Sequence, residues 1–164
     1  MERTLVLLKP DAIDRGLIGE ILHRFERVGL KIAGMKLIHA DQALAEKHYT
    51  EDLAIRRGEH VRKIMVETLI SGPVLAVCLE GVESVELVRK LTGSTEPKAA
   101  LPGTIRGDYS HVSFKHADSK QIAINNLIHA SSSLPEAEQE IAVWFANSEL
   151  HDHRPGYTAK TIAY

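Results

Sequence analysis

The sequence predicts one α/β or α+β sandwich. Three observations predict it. Four short apolar runs end at Pro, Gly or charge, as strands do. Segments with helical apolar spacing separate them. The chain has 164 residues, 44% hydrophobic and 26% charged, which is the size and make-up of one ordinary domain spanning 1–164. A chain of that length buries roughly 70% of its unfolded surface, so it needs no staple. Its single Cys excludes a disulfide framework and a Cys-rich zinc module. Twenty basic against 22 acidic side chains give a net charge of −2, so no basic field invites nucleic acid or anionic lipid. No apolar run reaches the roughly 18 residues of a membrane span. Met1-Glu2-Arg3-Thr4 enters an apolar run with no leader pattern, which makes a cytoplasmic location the expectation.

Residues 3–8 are apolar and stopped by Pro10, which suits a buried strand. Over 17–28, Leu17, Ile18, Ile21, Leu22, Phe25 and Val28 make one helical stripe, and Gly29 ends it. Residues 31–38 predict a second strand, with Gly34 marking a bulge or close packing. Asp41 is a good cap for a helix over 41–48. The charged stretch 50–60 predicts a surface loop, with Arg56 and Arg57 as solvated charges, and 61–70 returns to a helix. Residues 73–79 predict a continuous buried strand with an inert Cys78, and 83–91 a helix burying Val85, Val88 and Leu91. The aperiodic segment 92–110 predicts a long loop, functional or disordered. Strand character resumes over 122–130, and 135–146 predicts a last helix with Pro135 in its first turn. A tail from 148 to 164 wraps a surface.

Polar groups concentrate in three segments: Lys9-Pro10-Asp11, Pro102 to Asp108, and Asn126 to Ser131. A Lys, an Arg and a His brought together suit an anion, and phosphate best, since Arg offers a fork and Lys a point charge. Gly103 and Gly107 flank Arg106 and predict close approach of backbone to ligand. His129 is the sharpest residue: an imidazole among phosphate ligands serves as acid, base or nucleophile. In a strand it points with Leu127 and away from Ile128. Judged alone, a half-buried, hydrogen-bonded His is the commoner outcome. His151-Asp152-His153 reads as a solvated terminus rather than zinc ligands, and His111 and His116 as loop residues. No phosphate-binding P-loop, dinucleotide or hydrolase-elbow motif is present.

Together these segments resemble the nucleoside diphosphate kinase family. The resemblance runs from Arg3 to about Leu150 and rests on five ordered motifs. They are Leu8-Lys9-Pro10-Asp11, Arg15-Gly16-Leu17-Ile18-Gly19, Ser71-Gly72-Pro73, Pro102-Gly103-Thr104-Ile105-Arg106-Gly107-Asp108 and Asn126-Leu127-Ile128-His129-Ala130-Ser131. The resemblance implies a ferredoxin-like fold, a four-stranded antiparallel sheet covered by helices. It implies ping-pong transfer of a γ-phosphate between nucleoside tri- and diphosphates through a phosphohistidine on His129. It puts Lys9 and Tyr49 near the transferred phosphate, Arg89, Thr95 and Arg106 on the distal phosphates, and Asn126 on the sugar hydroxyl. Ser131 and Glu140 would orient His129, and Mg²⁺ would arrive on the nucleotide without protein ligands. The implied assembly is a homo-oligomer, a hexamer before a tetramer. A non-catalytic nucleotide-binding module of the same fold is the alternative, which the retained nucleophile disfavours.

Three departures stand out. Residues 50–70 hold no aromatic to stack on a base, and counting back from Ser71 puts Val61 at that position. About ten extra residues, roughly 109–122, separate Arg106 from Asn126 and predict a hairpin or flap. Ala130 stands where the family favours Gly and requires an ordinary backbone angle. The missing aromatic and the slight acidity also argue against nucleic acid as the primary partner.

Overall fold

A computed structural model describes residues 1–153 and Gly156. The rest of the predicted tail, 154–155 and 157–164, lies outside the described residues. Four strands, β1 (Glu2–Leu8), β2 (Lys31–His39), β3 (Pro73–Gly81) and β4 (Ile128–Ala130), form one sheet in the order β2-β3-β1-β4. Every pairing is antiparallel. This is the α+β, ferredoxin-like sandwich expected.

Inner strands β1 and β3 are buried on both faces, which is why they read as unbroken apolar runs. Leu5, Leu7, Val74, Ala76 and Cys78 face one core, closed by α3 (Gln42–His48), α5 (Glu59–Ile70) and α9 (Leu134–Trp144). Val6, Leu8, Leu75, Val77 and Leu79 face the other, closed by α2 (Ile18–Arg27) and α6 (Ser84–Thr92). Phe25 is wholly buried there and contributes about 2–3 kcal/mol by the area it removes from water.

The helices begin where the caps predict. Asp41 accepts Leu44 N–H at 2.8 Å, and Ser133 accepts Glu136 N–H at 3.3 Å before Pro135. Gly29 follows α2 at φ +85°, a left-handed angle that Gly adopts without strain. Gly34 shows both predicted features. The β2–β3 register shifts between Ile32 and Gly34, and a Cβ there would come 2.9 Å from Glu149 O and Leu150 Cδ2.

Three segments differ from expectation. Residues 50–60 are not a loop: α4 (Glu51–Arg57) occupies them and Gly58 at φ +93° turns the chain into α5. The charges that suggested a loop instead form helical pairs such as Asp52–Arg56 at 2.7 Å. Strand character over 122–130 is confined to 128–130, because the backbone before it bonds to side chains and to Lys9 N–H beyond the end of β1 instead of a strand. The extra residues form no hairpin. They carry α8 (Phe114–Lys120), capped by Ser113 and tied to the preceding loop by Phe114 N–H on Glu96 at 2.8 Å. Within the long loop, a short helix α7 (Ile105–Tyr109) is capped by Thr104.

The packing around Gly34 makes a prediction. Gly34→Ala must push the 145–150 segment off β2, costing about 1–3 kcal/mol. Thermal denaturation is expected to show a fall in Tm of roughly 3–10 °C.

Candidate active site

At the end of β1 the chain turns at Pro10 into α1 (Pro10–Asp14), against which Gly72 packs so closely that a Cβ would sit 3.2 Å from Pro10 Cβ. That contact explains why two of the motifs are tied together. Beside the turn, β4 brings His129 opposite Leu7. Around them lies a cavity of about 300 Å³ whose lining includes Lys9, Tyr49, Arg89, Thr95, Arg106, Asn126 and His129. Val61 is outside that lining, on the exposed side of α5; Met65, one helical turn further, lines it, as do Arg56 and Arg57. Those two arginines were read as solvated charges. Helix α4, unseen in the charged stretch, carries them to the cavity rim.

His129 faces the core containing Leu7, while both Leu127 and Ile128 are buried in the opposite one. His129 therefore does not share a face with Leu127. Leu127 is not in the strand: its φ is +69°, which breaks the two-residue alternation. Ala130 sits in β4 outside the left-handed region, so it is accommodated without strain.

Glu140 Oε1 lies 2.8 Å from His129 Nε2 and 3.6 Å from His48 Nδ1. Although short, the first contact is off the N–H direction, and Nε2 makes no hydrogen bond among the described residues. The other carboxylate oxygen accepts from Ser131 Oγ at 2.6 Å, and Ser131 N–H donates to Leu5 O at 3.2 Å. Ser131 thus fixes the acid to the central strand. His48 was not foreseen. Its ring stands perpendicular to that of His129, with centroids 4.5 Å apart. Trp144 Nε1–H donates to His48 Nδ1 at 3.3 Å, and burial pushes the His48 pKa well below its usual value, so the ring is neutral. The signal was available: His48 and Tyr49 follow buried Ala45 by three and four positions, on one helix face.

The cations are held by backbone. Arg106 donates to Gly93 O at 3.0 Å, Asn126 O at 3.1 Å and Ile128 O at 2.5 Å. Burial, and then Arg89, lower its pKa to about 10, so it stays charged. Lys9 Nζ donates to Asn126 Oδ1 and, at 3.4 Å, to Ile124 O; burial lowers its pKa to about 8, despite nearby Asp11. The Asn126 amide also donates to Thr95 O at 2.7 Å. Tyr49 is buried, which raises its phenol pKa, and its carbonyl accepts from Arg62 Nε at 2.8 Å. Gly107 does not face a ligand: a Cβ there would meet Leu101 O, so it serves the packing of α7.

Donor atoms of His48, His129 and Glu140 lie within 4.8 Å of one another. Two imidazoles and one carboxylate suit a softer ion than Mg²⁺, which prefers oxygen. Among the described residues Glu136 is the one acid in the cavity lining, and it accepts from Ser132 N–H at 2.6 Å. The lining therefore fits an anion whose own oxygens carry Mg²⁺. A more open hollow of about 510 Å³, beyond Arg89, is lined by Glu2, Glu83 and Glu86 and has the wrong charge for polyphosphate.

Comparisons with known proteins agree with this fold. The family described as nucleoside diphosphate kinase matches residues 2–150. A nucleoside diphosphate kinase of Borreliella burgdorferi is 46% identical over 155 residues, covering 94% of this chain and 93% of the relative. One of Pyrococcus furiosus is 48% identical over 153 residues, covering 93% and 88%. Among solved structures, a transition-state mimic of nucleoside-diphosphate kinase from Borrelia burgdorferi with bound vanadate and ADP superposes with a TM-score of 0.94 at 44% identity, covering 97% and 95%. A halophilic enzyme of Halobacterium salinarum in complex with CDP gives 0.82 at 40% identity, covering 96% of each chain. A fold, a cationic cavity with a histidine at its floor, and sequence identity across nearly the whole chain converge: the chain belongs to the nucleoside diphosphate kinase family.

Proposed function

We propose that this enzyme moves the γ-phosphate of a nucleoside triphosphate to a nucleoside diphosphate in two half-reactions through phosphorylated His129. The observation that carries the reading is the placement of Glu140 Oε1, 2.8 Å from His129 Nε2. Without a hydrogen bond, its negative charge beside Nε2 still favours the proton on that nitrogen and leaves Nδ1 for attack. The Nδ1 lone pair forms the bond to phosphorus as the β–γ bridging bond breaks, and the nucleoside diphosphate leaves. The Nε2 proton remains in place, its positive charge offset by Glu140. A diphosphate then takes the phosphoryl group by the reverse step. Neutral His48 adds no charge that would compete with the forming cation.

The negative charge on the transferred oxygens meets Lys9 and Tyr49, and the distal phosphates meet Arg89, Thr95 and Arg106. Asn126, whose amide already holds Lys9 and Thr95, reaches the sugar. Met65 takes the base contact that Val61 does not reach. Bound Mg²⁺ would neutralise phosphate charge as part of the substrate. The related complexes with ADP and CDP support one cavity for different bases. No described helix is long and apolar enough to cross a membrane, in keeping with action on soluble nucleotides in the cytoplasm. Edge strand β2 exposes Met35 and Leu37 by 51% and 56%, which supports self-association as a hexamer, or otherwise a tetramer.

Brief exposure to γ-labelled ATP and Mg²⁺ is expected to give acid-labile, base-stable label that GDP removes. His129→Ala should take none and lose at least about a thousandfold in turnover; label and turnover retained in that variant would overturn the mechanism. Because Lys9 loses its proton near pH 8, kcat/KM should fall as pH rises through that value. In Lys9→Arg, whatever activity remains should lack that alkaline limb, which pH–rate profiles of both proteins check. Sedimentation velocity at micromolar concentration should show an oligomer; a monomer would refute the assembly.

A further inference from the structure

Leu127 lies between the residue proposed to reach the sugar and the strand carrying the proposed nucleophile, and its backbone is in a conformation that an L residue rarely adopts, φ +69°. Both of its backbone groups are taken by the turn after β1. Lys9 N–H donates to Leu127 O at 2.9 Å, and Asp11 Oδ2 accepts Leu127 N–H at 2.9 Å. Its side chain is buried in the core below. The other oxygen, Asp11 Oδ1, is buried with no hydrogen-bond partner among the described residues. Lys9 and Arg106 supply the positive charge that makes a half-buried carboxylate tolerable there.

We propose that Asp11 is a positioning residue: by holding Leu127 N–H it keeps Leu127 left-handed, which sets Asn126 toward the sugar and aims the His129 ring from β4 into the cavity. Without the clamp, Leu127 relaxes toward an ordinary extended angle, and the segments on either side rotate relative to each other. A displacement of about 1 Å at a reacting atom is enough to cost roughly a hundredfold in rate. The inference rests on His129 as the phosphoacceptor.

The test measures label transfer from γ-labelled ATP, with kcat and KM for the ATP–GDP exchange, in folded full-length variants. Asp11→Ala should slow labelling at least tenfold, chiefly in kcat. Asp11→Asn, whose amide oxygen accepts the same N–H, should stay within about threefold of the parent. In Asp11→Ala/Leu127→Gly, where a left-handed residue 127 carries no steric cost, labelling should recover at least about threefold over Asp11→Ala. Parent-like labelling by Asp11→Ala, an Asn variant as slow as the Ala variant, or no recovery in the double variant would each overturn the proposal. If the alanine protein does not fold, Asp11→Glu replaces it. Its carboxylate is one methylene out of place, so labelling slower than Asp11→Asn supports the clamp and labelling equal or faster refutes it. Failure of the parent itself to take label would refute the phosphohistidine reading, not the clamp.

Discussion

The site depends on one guanidinium. Arg106 bonds the carbonyls of Gly93, Asn126 and Ile128, joining the loop after α6, helix α7 and the approach to β4. These segments are far apart in sequence and carry little regular structure, so no ladder of hydrogen bonds would otherwise hold them. A planar fork with five donors suits the task, and a lysine at the same place would satisfy only part of it. Buried carbonyls left without donors would cost the loop its shape before any ligand arrived. Arg106 is therefore structural scaffold as well as the proposed phosphate cation, and loss of activity on its removal does not separate the two roles.

A second group of contacts governs the His129 ring, the proposed nucleophile. Glu140 is fixed by Ser131, which is fixed in turn to Leu5 of the central strand. The histidine contacts an acid on one side and the edge of a neutral imidazole on the other. Trp144 occupies the His48 nitrogen nearer Glu140, and so keeps that acid for His129. Rigid aromatic packing from α3 and α9 thus serves the charge distribution at the ring.

Much of the fold was legible because both faces of the sheet are covered. Residues 3–8 and 73–79 read as strands since β1 and β3 have no wet side, and Asp41, Gly29 and Pro135 mark helix ends by their own chemistry. The order of strands was not legible, because pairing is decided by residues far apart. Residues 122–127 misled because Ile122, Ile124 and Leu127 look like a strand, while their backbone is shaped by Ser110, Arg106 and Asp11. The cavity cluster could be read from Lys9, Arg106 and His129, which no packing role explains together. Arg56 and Arg57 could not, since charge spacing alone does not tell a helix at a cavity rim from a solvated loop. Val61 came from counting along an interrupted alignment, which fixes a helical face no better than one turn, the distance from Val61 to Met65.

The direct bond from Arg106 to the Asn126 carbonyl also closes a loop. Both ends of the stretch between them are held by the site itself, and Val112 and Phe114 fasten its first half to Lys98 and Glu96, which leaves the part beyond Phe114 the least constrained. Helix α8 fills that stretch here. Doubling such a loop costs only about 0.6 kcal/mol in chain-closure entropy, no more than about one net hydrogen bond at its ends. The interval beyond Phe114 is thus a place where descendants of one ancestral chain can gain or shed length, and where foreign sequence can be grafted, while the cavity keeps its shape.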